Sequence, residues 1–177
     1  MKPEEKARVK IDQWLTEAGW KVINRDEFEA DSNAVAVREA LLKGNKEADY
    51  FLFINGMAVG VLEAKREEID VAQQIVCEQA EGYARGVPSY YTAYQKPLPF
   101  IYTSNGKHHY CRDYRQKDST YEEISVMHKP KKLAELLGIE DPFAGLPTLN
   151  PKGLRACQYE AITGLEKSFR NGQNRAL

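Results

Sequence analysis

Asp49 opens one apolar run, Asp49-Tyr50-Phe51-Leu52-Phe53, and Glu63-Ala64-Lys65 closes the next, Val59-Gly60-Val61-Leu62. Two carboxylates and an ammonium on neighbouring strands form a charge layout suited to hydrolysing a phosphodiester. Two carboxylates about 4 Å apart repel by roughly 4 kcal/mol at an effective dielectric near 20. A fold that sets Asp49 beside Glu63 therefore calls for a cation. Mg²⁺ suits the task, because it takes oxygen ligands and keeps several waters. One such water is the candidate nucleophile, and the ion offsets charge developing on the phosphate. Lys65 follows Glu63 by two residues, so strand periodicity sends both side chains to one face. An ammonium there can orient the water or stabilise the pentavalent state.

The elements that must position these groups carry one geometric demand. A regular two-residue turn at Asn55-Gly56 pairs Ile54 with Met57 and, counting back, Asp49 with Leu62. Glu63 then points away from Asp49. Convergence requires a slip of one residue, supplied by a bulge near Gly60 or by a three-residue loop. The rest of the chain reads as helix 3–18 stopped by Gly19, a strand near Trp20–Ile23, and a segment 33–43 where alternation at Val35 and Val37 favours strand. Strands 48–54 and 57–65 follow, then a helix over about 70–85. Pro99–Thr103 is a strand turned by Asn105-Gly106, residues 107–114 return from it, and 121–127 is a further strand candidate. Pro130–Leu137 is a short helix with proline near its first position. Helices alternating with strands predict an α/β fold, a mixed central sheet flanked by helices.

Bulk properties narrow the class. The chain has 177 residues, 42 % hydrophobic and 29 % charged, as in an ordinary globular protein with one main core. No apolar run reaches the roughly 20 residues of a membrane span. The charged start, Met1-Lys2-Pro3-Glu4-Glu5-Lys6, offers no secretory h-region. Three scattered cysteines, with no Cys-x-x-Cys, suggest neither a disulfide framework nor a zinc knuckle, and the expected compartment is the cytoplasm. A net charge of −1 argues against a free-standing, tight nucleic-acid binder, but not against a nuclease gripped to DNA by other domains.

Asp49 with Glu63-Ala64-Lys65 resembles the PD-(D/E)xK nuclease motif, with Ala48 where that motif has proline. Other residues make the resemblance specific. Gln79-Ala80-Glu81-Gly82-Tyr83 resembles a QxxxY motif on the following helix. Glu4, Arg8 and Ile11-Asp12 resemble the first helix of the same group. Thr103-Ser104-Asn105-Gly106 resembles its (A/T)-(T/S)-N-G turn, and His128-Lys129-Pro130 with Leu133 the segment leading out of the domain. Together these are similar to the nuclease region of the restriction (R) subunit of type I restriction–modification enzymes. The resemblance implies a restriction-endonuclease-like core over 1–140, with Asp49 and Glu63 as Mg²⁺ ligands and Lys65 assisting catalysis. It implies that Gln79 and Tyr83 support the site or the DNA, with Glu4 as an accessory candidate. The implied partners are double-stranded DNA and the modification and specificity subunits. Gln79 and Tyr83 also share a helical face by their spacing, and an amide and a phenol suit phosphate or water contacts.

Residues 141–153, rich in proline and glycine, read as a linker. Leu154-Arg155-Ala156-Cys157-Gln158-Tyr159-Glu160-Ala161-Ile162 resembles the adenine-reading entry helix of superfamily 2 helicases, which implies that 154–177 begins a truncated translocase and that Gln158 contacts adenine. No phosphate loop of the form G-x-x-x-x-G-K-[ST] follows, so tight ATP binding is not expected here. The leading expectation is a Mg²⁺-dependent DNA endonuclease domain working with an ATP-driven motor. Two alternatives are a non-catalytic DNA-guiding or subunit-coupling module and a nuclease of another ATP-dependent restriction class. His108 and His109, adjacent in a strand, point to opposite faces and do not share a metal. Lys129, Lys131 and Lys132 read as a solvated helix start, and Tyr90, Tyr91 and Tyr94 as core or interface packing.

Overall fold

A computed structural model describes residues 3–30, 32–42, 46–140 and 149–170. Helix α1 (Pro3–Glu17) leads into strands β1 (Lys21–Asn24), β2 (Val35–Leu41), β3 (Glu47–Ile54) and β4 (Met57–Ala64). Helix α2 (Gln74–Arg85), the short strand β5 (Thr92–Ala93), and strands β6 (Phe100–Ser104), β7 (His109–Asp113) and β8 (Glu122–Glu123) follow. Helices α3 (Pro130–Leu137) and α4 (Ala156–Arg170) complete the order. The sheet order is β1-β2-β3-β4-β6-β7-β8, with β5 also pairing β4. β1/β2, β4/β5 and β4/β6 are parallel, and the other neighbours run antiparallel. This is the mixed sheet flanked by helices that the alternation of elements foretold.

The elements form where pattern and turn chemistry agree. Gly19, at φ +95°, closes α1 in the left-handed conformation that costs glycine nothing. Within the 33–43 segment, Val35–Leu41 forms the strand, and Val35, Ala36 and Val37 are buried on both faces. Two expectations shift. Helix α2 starts at Gln74 rather than about 70, because the Asp70 side chain accepts from the Ala72 amide and holds the chain in a turn. The candidate strand at 121–127 shrinks to the two residues of β8. Strand β5 carried no pattern of its own.

Alternation in β3 supplies both faces of the sheet. Phe51 and Phe53 join the cluster that contains Ala80 and Ala84 of α2, together with Val35, Val37, Val61 and Ile101. Tyr50 points the other way and donates its hydroxyl to Asp12 of α1 at 2.9 Å. Asp12 also takes Arg38 in a salt bridge at 2.7 Å. The chain divides into two compact units, Met1–Pro130 and Lys131–Leu177, and the sheet with α1 and α2 lies in the first. Residues 141–148 of the expected linker and 171–177 lie outside the described residues.

The demanded slip is present in the β3–β4 hairpin. Ile54 faces Met57 and Phe53 faces Ala58, but Leu52 faces Gly60. Val59 is the extra residue, and Ala58 and Val61, three apart, reach the same hydrophobic cluster. Gly60 is needed here for space: a Cβ would meet the Phe100 carbonyl oxygen of β6 at 2.9 Å and Leu52 Cδ1 at 3.2 Å. Gly60→Ala should therefore destabilise the chain by about 1–3 kcal/mol through overpacking against backbone, read as a lower denaturant midpoint.

Candidate active site

The bulge decides which side chains meet. Beyond it Tyr50 faces Leu62, so the next pair in the ladder sets Asp49 opposite Glu63. On the other flank Arg38 faces Tyr50 and Ala40 faces Ala48, which sets Glu39 opposite Asp49. Glu63 in turn faces Thr103 of β6. Three carboxylates thus lie in a row across β2, β3 and β4.

Each carboxylate has a defined set of contacts. Asp49 Oδ2 accepts the Ala64 amide at 2.8 Å, and Oδ1 accepts Arg8 Nη2 at 2.7 Å. Glu63 is only 1 % exposed. Its Oε1 accepts Lys65 Nζ, while its buried Oε2 has no hydrogen-bond partner. Burial pushes the Glu63 carboxyl up to about 7, and the neighbouring Asp49 charge adds to the rise. Lys65 opposes both effects without cancelling them.

The α2 helix supports the ammonium. Gln79 Oε1 accepts Lys65 Nζ at 2.9 Å, and Gln79 Nε2 donates to the Tyr83 hydroxyl at 2.6 Å. Gln79 is thereby fixed in the flip that presents its oxygen to Lys65. Burial keeps the Tyr83 phenol above its ordinary range, so it remains a neutral group with a hydrogen to donate. Glu63, Lys65, Gln79 and Tyr83 are linked by this chain of contacts, and Asp49 is tied beside it through the Ala64 amide. The Glu4 side chain lies outside the described residues. Gln158 belongs to the second unit, where its Oε1 accepts the Arg155 amide at 2.9 Å and caps the first turn of α4.

The loop joining Lys65 to α2 is held by the 103–106 turn. Ser104 takes the Lys65 amide on its carbonyl at 2.8 Å. Thr103 Oγ1 donates to the Val71 carbonyl at 2.8 Å. Asn105, 2 % exposed, donates to the Glu67 and Ile69 carbonyls and accepts the amides of Lys107 and His108. Gly106, at φ +77°, lets the turn press on α1, since a Cβ there would lie 3.1 Å from the Ala7 carbonyl oxygen. His109 leaves on the opposite face from His108. It stacks on Trp14 at 3.8 Å and bonds Ser104, whereas His108 bonds Glu123. Tyr91 packs with Phe28, Phe51 and Phe53.

Comparison with known proteins now decides the family. Residues 24–137 match the model of the type I restriction enzyme EcoKI endonuclease subunit second domain. The chain belongs to this family of type I restriction endonuclease subunits. It is 27 % identical to the type I restriction enzyme EcoKI endonuclease subunit of Escherichia coli (strain K12), over 98 % of this chain and 19 % of that protein. Its fold is that of a fragment structure assigned to an HsdR subunit of a type I restriction enzyme from Vibrio vulnificus YJ016. That likeness has a TM-score of 0.50 and 24 % identity, over 78 % of this chain and 26 % of the other. The chain thus spans about a fifth of the length of the curated relative it matches. Among the described residues no helix is long and apolar enough to cross a membrane.

Reading from the sequence passed over two groups that touch Asp49 directly or through Arg8. Arg8 shows in the sequence only as part of a helix likeness, because its target lies 41 residues away. Glu39 carried no signal, except that it sits opposite Asp49 once the β2–β3 register is known.

The raised Glu63 carboxyl makes a signed pH prediction. Between about 4.5 and 7 the folded chain holds a proton that the unfolded chain has lost, so stability falls as pH rises through this window and stays lower above it. Glu63→Gln removes the penalty. It should melt above the wild type at pH 8, by a margin on the order of 1–3 kcal/mol, and converge with it near pH 4.

Proposed function

We propose that this chain is a divalent-cation-dependent endonuclease domain that cleaves double-stranded DNA as part of a type I restriction subunit. The observation that carries the reading is the meeting of Asp49 and Glu63 across the bulged hairpin, with Glu63 Oε2 buried and unpartnered. An orphaned carboxylate oxygen beside a second carboxylate costs free energy that a hard cation repays. Among the described residues no group of three His, Cys, Asp or Glu side chains is gathered for a metal. A pair of carboxylates fits an ion that keeps most of its waters, and Mg²⁺ is the proposed one.

Asp49 and Glu63 would hold that ion. When bound, it supplies an acidified water and offsets charge on the phosphate. The other roles fall to the chain itself. Lys65, 26 % exposed, reaches from the buried Glu63 towards solvent, where its ammonium can stabilise the oxyanion of a pentavalent phosphate. Gln79 holds Lys65 in place, and Tyr83 holds Gln79, so two residues of α2 act behind one. Removing the cation leaves Glu63 to neutralise itself with a proton, in keeping with its raised carboxyl.

The family relation supports DNA and the modification and specificity subunits as partners, and with them a cytoplasmic setting. In the second unit, α4 is read as the lead-in to an ATP-driven motor, with Gln158 exposed on its first turn as the proposed adenine contact.

Melting in Mg²⁺ or Mn²⁺ tests the cation site. Each ion should raise the melting temperature, by the equivalent of about 2.7 kcal/mol at a hundredfold excess over its Kd. Asp49→Ala should abolish the rise, and a rise that survives the substitution overturns the site. In a complex reconstituted with its partner subunits, Lys65→Ala should stop DNA cleavage while ATP hydrolysis continues. Persisting cleavage places the chemistry elsewhere.

A further inference from the structure

Resting on the reading above, we propose that Arg8 is a further residue of the active site. It competes with an incoming cation for the Asp49 carboxylate, and Glu39 then presents it to a phosphodiester oxygen of the substrate.

Three observations converge on Arg8. Its guanidinium forks between two carboxylates, Nη2 to Asp49 Oδ1 at 2.7 Å and Nη1 to Glu39 Oε1 at 2.8 Å. Asp49 Oδ2 takes the Ala64 amide and Oδ1 takes Arg8, so an incoming cation meets a carboxylate with both oxygens already engaged, one of them by a competing positive charge. The side chain is 40 % exposed, so its release from Asp49 does not demand a rearrangement of the core.

Glu39 shows how the fold retains the arginine. It stands opposite Asp49 in the β2–β3 register, yet its φ is +49°, a left-handed conformation that costs a non-glycine residue energy. Such outliers persist where surrounding structure over-determines them, and they cluster at functional sites. Here the neighbouring pairs Arg38 with Tyr50 and Ala40 with Ala48 stay in register on either side, so the irregularity is confined to one residue.

Charge balance gives the order of events. With no divalent ion present, Arg8 serves as the counter-charge of Asp49, as Lys65 does for Glu63. Two positive groups cannot share one carboxylate oxygen at low cost, so Arg8 yields as the cation enters. Its second nitrogen stays with Glu39. A planar guanidinium held at one nitrogen and open at the other suits an anionic phosphate oxygen, more than a lysine in its place would. Arg8 would touch the substrate, and Glu39 is the positioning residue behind it.

Two measurements on the 177-residue chain test this. The first is a Mn²⁺ titration followed by melting temperature. Arg8→Gln should reach the same rise in melting temperature, relative to its own ion-free value, at a Mn²⁺ concentration about threefold to tenfold below that of the wild type, because the competitor is gone. The second is fluorescence anisotropy of a short blunt DNA duplex in Ca²⁺. Arg8→Gln should weaken binding about fivefold. Glu39→Gln should weaken binding in the wild-type background, yet leave it unchanged or improve it in the Arg8→Gln background, where it only removes a negative charge. The proposal is overturned if Arg8→Gln needs as much Mn²⁺ as the wild type, or more, for an equal rise in melting temperature, by unchanged DNA affinity, or by equal losses from Glu39→Gln in both backgrounds. Absence of any Mn²⁺ stabilisation in the wild-type chain removes the cation site itself, and this proposal with it.

Discussion

Like charge gathered in a poorly solvated place is the constraint around which the first unit is arranged. Glu63 is buried at the end of a central strand and faces Asp49 on one side. Left alone, such a pair is unstable, because burial and repulsion both disfavour ionising the second carboxylate. The chain answers with cations at each end of the row, Arg8 from α1 at Asp49 and Lys65 from the end of β4 at Glu63. Burial and the Asp49 charge outweigh the ammonium, so the Glu63 carboxyl rises even with Lys65 in contact.

That balance depends on backbone placed within a fraction of a hydrogen-bond length, and most of the supporting contacts serve the backbone. The Ala64 amide orients Asp49. Asn105 and Thr103 use buried side chains to bind carbonyls in the loop between Lys65 and α2. A loop so tied leads into α2, whose Gln79 lies 2.9 Å from the Lys65 ammonium. The polar side chains buried beneath it are paired, as groups withdrawn from water must be. Among the described residues, Glu63 Oε2 and Trp14 Nε1 are buried without a hydrogen-bond partner, and the first is the oxygen on which the proposed cation site rests.

Much of this was legible in the residues themselves. Asn55-Gly56 announced the hairpin, and counting from it showed that a regular ladder would part Asp49 from Glu63. A one-residue slip was thus required, from a bulge near Gly60 or a three-residue loop, and the hairpin supplies it as a bulge at Val59. The spacing of Gln79 and Tyr83 foretold a shared helical face. Three things were not legible. The start of α2 moved because a single Asp70 turn outweighed helical pattern. The work of the Thr103–Gly106 turn was hidden, since its partners lie up to 38 residues away. The Arg8–Asp49–Glu39 contact was hidden for the same reason.

By itself the amino-acid sequence determined the long strands and helices and their faces, because strand alternation, helical spacing and turn residues act over a few positions. It also determined the family, through motifs whose residue types are fixed by chemistry. Only the tertiary structure decided which charges neutralise one another. That choice rests on register between strands and on the approach of α1 and the 103–106 turn, distances set by packing across tens of residues and absent from any local pattern.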